Sequence, residues 1–223
     1  MAQILKSGGT VLRTGQSIFI TGQIQVPLVK LPASTLQGIN GTPVSDWKNT
    51  AGNAILVQPT ALRQPTIRQN AINGFPVLVF DGQDDMMVFP FFVLAKTIFI
   101  VYRFLTLDFT FSNNPLFETQ GQGAFDFNTG QGSVVRPGNN FESETRNRLF
   151  VNGIQEPSRN TPQRTFFRVL CFDCVPDYNL FSLLGAGITN QHLEIAHLEI
   201  YGKRLTDTDR NTVTGQLLTL YAI

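Results

Sequence analysis

The chain has 223 residues, of which 42% are hydrophobic and 15% charged, with a formal net charge of +1. So little net charge sets no long-range field to draw the chain to nucleic acid or to an anionic membrane, and neither is expected as a partner. The charged share lies well below the roughly 25% usual for soluble domains. Asn and Gln replace it, giving an amide-rich surface that is easier to desolvate against a partner than one rich in Lys and Glu.

The first residues, Met1-Ala-Gln-Ile-Leu-Lys6, lack the apolar core of a signal peptide, so the expectation is a chain made without export. No apolar run reaches the roughly 18 residues of a membrane span. The richest run, Val88 to Leu107, is broken by Pro90, Lys96 and Arg103. Ser17-Ile-Phe-Ile-Thr21 and Gln23-Ile-Gln-Val26 read as short strands between glycine turns, with Pro27 and Pro32 beyond them. Residues 1–43 are therefore expected to form an N-terminal arm or hairpin leading into a main domain over 44–223.

Further strands are predicted over Ala54–Val57, Val77–Phe80, Thr97–Phe104, Pro115–Glu118, Gly123–Phe127, Arg148–Val151 and Thr165–Cys174. Thr97–Phe104 is apolar on both faces and should be a central strand covered on both sides. Asn152-Gly153, directly after an apolar run, signals a tight hairpin. Leu193–Tyr201 is the last strand, with Ala196, Leu198 and Ile200 expected on the core face. The period then changes. Thr206 can cap a helix with Asp207 and Asp209 in its first turn. Val213, Leu217, Leu220 and Tyr221 form its apolar stripe. Many short strands and one short C-terminal helix indicate an all-β sandwich.

Three stretches carry a family resemblance. Ser45-Asp-Trp-Lys-Asn-Thr-Ala-Gly-Asn53, Asn70-Ala-Ile-Asn-Gly-Phe-Pro-Val-Leu-Val-Phe-Asp-Gly-Gln-Asp-Asp85 and Ile195-Ala-His-Leu-Glu-Ile-Tyr-Gly-Lys-Arg-Leu-Thr-Asp-Thr-Asp-Arg210 resemble, in order and spacing, motifs of the concanavalin A-like/laminin-G superfamily, in the branch found in bacterial and phage adhesins and virion proteins. The resemblance covers Val44 to Ile223. It implies a concanavalin A-like jelly roll of two antiparallel sheets, each of about six or seven strands. Lectins, glycosidases and inert modules share this fold, so it does not fix an activity.

No catalytic constellation accompanies it. Some glycosidases of this fold carry acids on one strand as Glu-x-Asp-x-(x)-Glu. Glu194-Ile-Ala-His-Leu-Glu199 has Ala196 at the central acid, and the two glutamates differ in strand parity, which without a bulge puts them on opposite faces. His192 and His197 lack HExxH spacing, and no serine sits in Gly-x-Ser-x-Gly. No enzymatic function is expected. Cys171 and Cys174 have no second pair to complete a zinc site, and three residues apart on a strand they point to opposite faces, so reduced structural thiols are expected.

The binding candidates are modest. Asp81, Asp84 and Asp85 could hold calcium, the one cofactor considered, although the same motif serves as a turn. Trp47 is a sugar platform or a packing residue. Phe125, Phe127, Asn128, Asn139 and Asn140 lie in an amide-rich stretch, 120–140, that could form a ligand loop. Arg146, Arg148, Arg159, Arg164 and Arg168 read as a solvated or subunit-facing surface, interrupted by acids. The expected function is a non-enzymatic structural or adhesion module of a bacteriophage virion, in capsid decoration, tail or fibre, assembled in the host cytoplasm. Its partners would be further copies or other virion proteins, engaged through the arm. The alternative is a lectin-like module at a cell surface or outside the cell, with surface glycan as its partner.

Overall fold

The computed structural model describes residues 10–14, 17–21, 25–53, 55–106, 114–119, 125–127, 135–137, 148–156, 164–183 and 192–223. Two strands, β1 (Thr10–Thr14) and β2 (Ser17–Thr21), pair in register Val11↔Ile20 and form a sheet of their own. All other strands join one 13-stranded antiparallel network. They are β3 (Val29–Pro32), β4 (Asp46–Lys48), β5 (Ile55–Val57), β6 (Thr66–Ile72), β7 (Phe75–Asp81), β8 (Met87–Phe104), β9 (Asn114–Thr119), β10 (Phe125–Phe127), β11 (Val135–Pro137), β12 (Arg148–Val151), β13 (Ile154–Gln155), β14 (Arg168–Leu183) and β15 (His192–Tyr201). One helix, α1 (Asp207–Tyr221), closes the chain.

Two long strands tie the two layers of the sandwich into this network. The C-terminal half of β8 pairs with β15 and with the first half of β14, and β7 and β3 flank β15 on its far side. The N-terminal half of β8 pairs with the second half of β14 and touches β5, while β9 continues from β14. The ladder between β8 and β14 is interrupted by register breaks between Asp173 and Tyr178 and between Leu180 and Ser182. Irregularities of this kind increase the twist and let a strand bend.

The inner core collects apolar side chains of both layers, among them Leu31, Trp47, Leu56, Leu78, Ile98, Ile100, Phe117, Leu170, Phe172 and Leu198. A second core lies outside one sheet, beneath α1, where Phe99, Val101, Val169, Cys171 and Ala196 meet Val213, Leu217 and Tyr221. β8 therefore has apolar cover on both faces over Thr97–Phe104, as its sequence predicts. Leu220 differs from its prediction: it is exposed, and Arg210 and Thr214 share the buried stripe of the helix instead. The Thr206 side chain accepts the Asp209 N–H and caps the helix as expected.

The expected boundary at 43/44 does not coincide with the sheet. β3 pairs with β15 in register Leu198↔Leu31, and Val29, Leu31, Ala33 and Leu36 are core residues. Asn152 and Gly153 both have positive φ, 49° and 85°, in the turn between β12 and β13. That geometry defines the tight hairpin turn for which Asn-Gly is the preferred pair. No described helix is long and apolar enough to cross a membrane.

Candidate functional site

The last strand decides how the acids are used. Along β15 the partners on β8 run Ile195↔Tyr102 and then His197↔Val101, so Ala196 is an extra residue in a bulge. The bulge reverses the alternation. Leu193 and Ile195 face the inner core before it, and Leu198 and Ile200 after it. Ala196, expected inward, lies in the core beneath α1, whereas Ile195 points inward. Glu194 and Glu199, expected on opposite faces, consequently share the outer face.

Each of these two glutamates is already neutralised. Glu194 is fully buried and forms ion pairs with Arg103, at 2.7 Å, and with Arg68. Glu199 accepts from Tyr201 Oη at 2.7 Å and lies 3.0 Å from His197 Nε2 and 2.7 Å from Lys30 Nζ. Burial alone raises its pKa, but the hydrogen bonds from His197, Lys30 and Tyr201 outweigh that and hold it down at about 2. The other ring nitrogen of His197 meets Tyr221 Oη at 3.0 Å, and Tyr221 donates onward to the Ala196 carbonyl. This closed network fixes the C-terminal end of α1 on the sheet. Neither acid is a solvent-facing carboxyl of the sort a glycosidic oxygen requires.

The arginine stretch is likewise drawn into the fold. Arg148 and Arg204 both bind Asp173, which is 1% exposed, and Arg148 also reaches Asp207 at 2.9 Å. Arg168 is buried against Tyr102. The expected solvated or subunit-facing surface therefore does not hold for Arg148 and Arg168, whereas Arg164 is exposed and Arg146 and Arg159 lie outside the described residues. Trp47 is fully buried and donates Nε1–H to the Pro32 carbonyl at 3.3 Å, so it packs and offers no platform to a sugar. Cys171 and Cys174 are free thiols in different cores. Burial, then the neighbouring Asp173, pushes both thiols up.

Asp81, Asp84 and Asp85 do converge, with one oxygen from each within 4.8 Å of the others. The same three side chains also make contacts of the turn after β7. Asp85 accepts the Asp81 N–H at 2.8 Å, Asp81 accepts the Gln83 N–H at 2.8 Å, and Asp84 lies 3.7 Å from Arg63. Burial and the two neighbouring carboxylates raise Asp85 to about 6, against the bond from the Asp81 N–H. Phe125 and Phe127 belong to β10, between β9 and β11. Asn128, Asn139 and Asn140 lie outside the described residues.

The concave feature that stands out is apolar. A groove of about 530 Å³ runs between Val26–Val29, Ala51–Asn53 and Phe91–Leu94. Val26 is 78% exposed, Phe91 53% and Phe92 51%, with Leu28 and Leu94 beside them. The phenylalanines stand out because β8 leaves its ladder here: Val88 pairs with Ser182 and Val93 with Leu180, so the four residues between them oppose one. Pro90 has no N–H to give to a ladder, which makes this excursion the natural place for it. A second hollow of about 510 Å³ continues past Leu28 and Leu94 to Gly202 and Lys203. Among the described residues, no charged side chain lines the first groove.

No family model matches this sequence. No curated protein matches it either. Two solved structures match at low identity. One is the crystal structure of the botulinum neurotoxin serotype D binding domain, at 12% identity and a TM-score of 0.48, over 86% of this chain and 51% of that one. The other is the serotype D ligand binding domain in complex with N-acetylneuraminic acid, at 12% identity and a TM-score of 0.46, over the same shares. The chain thus spans about half the length of each.

The sequence reading missed the groove. Its signal was Pro90-Phe-Phe92, a proline inside an apolar run, which reads as a broken strand and also marks where side chains leave the core.

Proposed function

We propose that this chain is a non-catalytic structural and adhesion module that works through the apolar groove beside its N-terminal arm. The groove itself carries the reading. Val26, Leu28, Phe91, Phe92 and Leu94 form a contiguous exposed apolar surface next to a concavity, the mark of a face that another molecule covers. The low charge and amide-rich composition support the same reading. So does the commitment of Glu194 and Glu199 to internal ion pairs. A module of this type fits a bacteriophage virion, as decoration, tail or fibre protein, where assembly takes place in the host cytoplasm.

A second reading is a lectin-like module. Two adjacent exposed phenylalanines with Asn53 on the same groove offer ring faces and an amide, the pairing that sugar sites use. Sedimentation of the purified chain and a glycan array separate the two. Assembly above the mass of one chain, lost in a Phe91→Glu/Phe92→Glu variant, is the expected result. Binding to a defined glycan by a strictly monomeric chain would favour the second reading.

A further inference from the structure

The two hollows beside Phe91–Leu94 share Val26, Leu28 and Leu94 and form one cleft. Its charge is unevenly placed. The first hollow, which holds Phe91 and Phe92, has no charged lining among the described residues. The second has Lys203, at the opposite end from the phenylalanines. Neither hollow has an acid among its described lining. Lys203 is exposed and pairs with no acid among the described residues. The cleft is thus apolar along its length, with a single cation at one end.

Its walls are held in place by the chain itself. The Asn49 side chain ties one to the other: Nδ2–H donates to the Leu28 carbonyl at 2.9 Å, and Oδ1 accepts the Lys30 N–H at 2.7 Å and the Ala51 N–H at 2.9 Å. The Leu28 N–H is given to the Ile200 carbonyl at 2.8 Å. Gly202 lets Leu28 lie against its bare backbone, since an added Cβ there would be 2.7 Å from Leu28 Cδ1. A preformed apolar concavity of roughly 300–1,000 Å³ with a few polar groups is the usual form of a small-molecule site.

We infer that this cleft binds a free fatty acid, with the alkyl chain between Val26–Val29 and Phe91–Leu94 and the carboxylate at Lys203. The inference rests on the groove being a face that another molecule covers, and it names that molecule's chemistry. Charge complementarity selects the class. The apolar chain meets the uncharged lining, the anion meets the cation, and no acid among the described lining opposes it. A glycan, dense in hydroxyls, would leave most of them unpaired against Val26, Leu28 and Leu94. An anionic bilayer surface is recognised by clusters of about four to eight Lys or Arg, and the described lining offers Lys203 alone.

The test is isothermal titration calorimetry of the full chain at low salt, at a dilution where light scattering gives a single chain. Three ligands of one chain length are compared below their micelle concentrations: decanoate, decanol and decyltrimethylammonium. Decanoate should bind about fivefold more tightly than decyltrimethylammonium. Dodecanoate should gain about fourfold over decanoate for each added methylene. The surface variant Lys203→Gln should remove the preference for decanoate and leave decanol unchanged, and Leu94→Ser should weaken all three, each with the parent's circular dichroism spectrum. No binding of any of the three, equal affinity for the anionic and cationic ligands, or a preference that survives in Lys203→Gln would each overturn the inference. So would a chain that sediments with anionic vesicles and ignores free decanoate, which would assign the cleft to a membrane surface. Assembly is read separately, by light scattering at higher concentration. A chain that assembles there but ignores decanoate when dilute overturns this inference alone, and a chain that stays monomeric and binds decanoate overturns assembly through the groove alone.

Discussion

Glu194 shows how strongly single residues are committed here. A fully buried carboxylate is tolerated only when paired, and Arg103 and Arg68 supply the pairing. Removing one partner of a buried ion pair leaves an uncompensated charge, at a cost of about 3–5 kcal/mol. Glu194→Ala should lower stability in urea unfolding by less than that, because Arg103 and Arg68 keep contact with solvent, whereas Glu156→Ala, on a less buried acid, should change it little. Two other acids give opposite pH dependences. Glu199 titrates at about 2 in the fold against 4.5 when free, so its contribution is present above pH 4.5 and is lost as pH falls toward 2. Asp85 titrates at about 6 against 3.8, so the folded state binds the extra proton. Its contribution is present below pH 3.8 and is lost as pH rises through 6. Urea midpoints across this range should show the acid-side loss reduced in Glu199→Gln and the loss toward pH 6 removed in Asp85→Asn. Curves parallel to the parent at all pH values would contradict both assignments.

At the level of elements, α1 and the turn after β7 are the parts whose local chemistry can be tested without disturbing the core. The Thr206 side chain holds the Asp209 N–H at 3.1 Å, so Thr206→Ala should destabilise the chain by about 1 kcal/mol in thermal or urea unfolding. Gly82 is a harsher site. It has a φ of 79°, and an added Cβ would lie 2.8 Å from the His192 backbone nitrogen. Gly82→Ala should therefore destabilise more than Thr206→Ala, because the close neighbour is backbone on β15 and cannot turn aside. β15 shows the limit of element-level reading. Its alternation is plain in the sequence, but a bulge is a count of residues against a partner strand. Nothing in Leu193–Tyr201 alone states that Ala196 is the extra one.

At the level of the whole molecule, the sandwich and the arm meet near Leu28. Deleting residues 1–24 should leave the melting temperature of the sandwich unchanged apart from any effect of lost assembly. Deleting residues 1–43 takes β3 away from β15 and removes Val29, Leu31, Ala33 and Leu36 from the core. That chain should melt several degrees lower or fail to fold, as scanning calorimetry would show. Equal melting of the two truncations would support a boundary at 43/44.

The sequence by itself determined the all-β class, the central position of Thr97–Phe104, the Asn152-Gly153 turn and the capped C-terminal helix. These are properties of neighbouring residues: alternation, backbone permissiveness at positive φ, and a hydroxyl at a helix start. The tertiary structure alone decided the rest. It put Glu194 and Glu199 on one face, turned Arg148 and Arg168 inward, buried Trp47 and drew β3 into the sheet. It also left an apolar groove beside Phe91–Leu94. Each of those depends on partners far along the chain, as with Arg103 and Glu194, which lie 91 residues apart. Local pattern carries the period of an element, and only the packed fold determines which side chains it brings together.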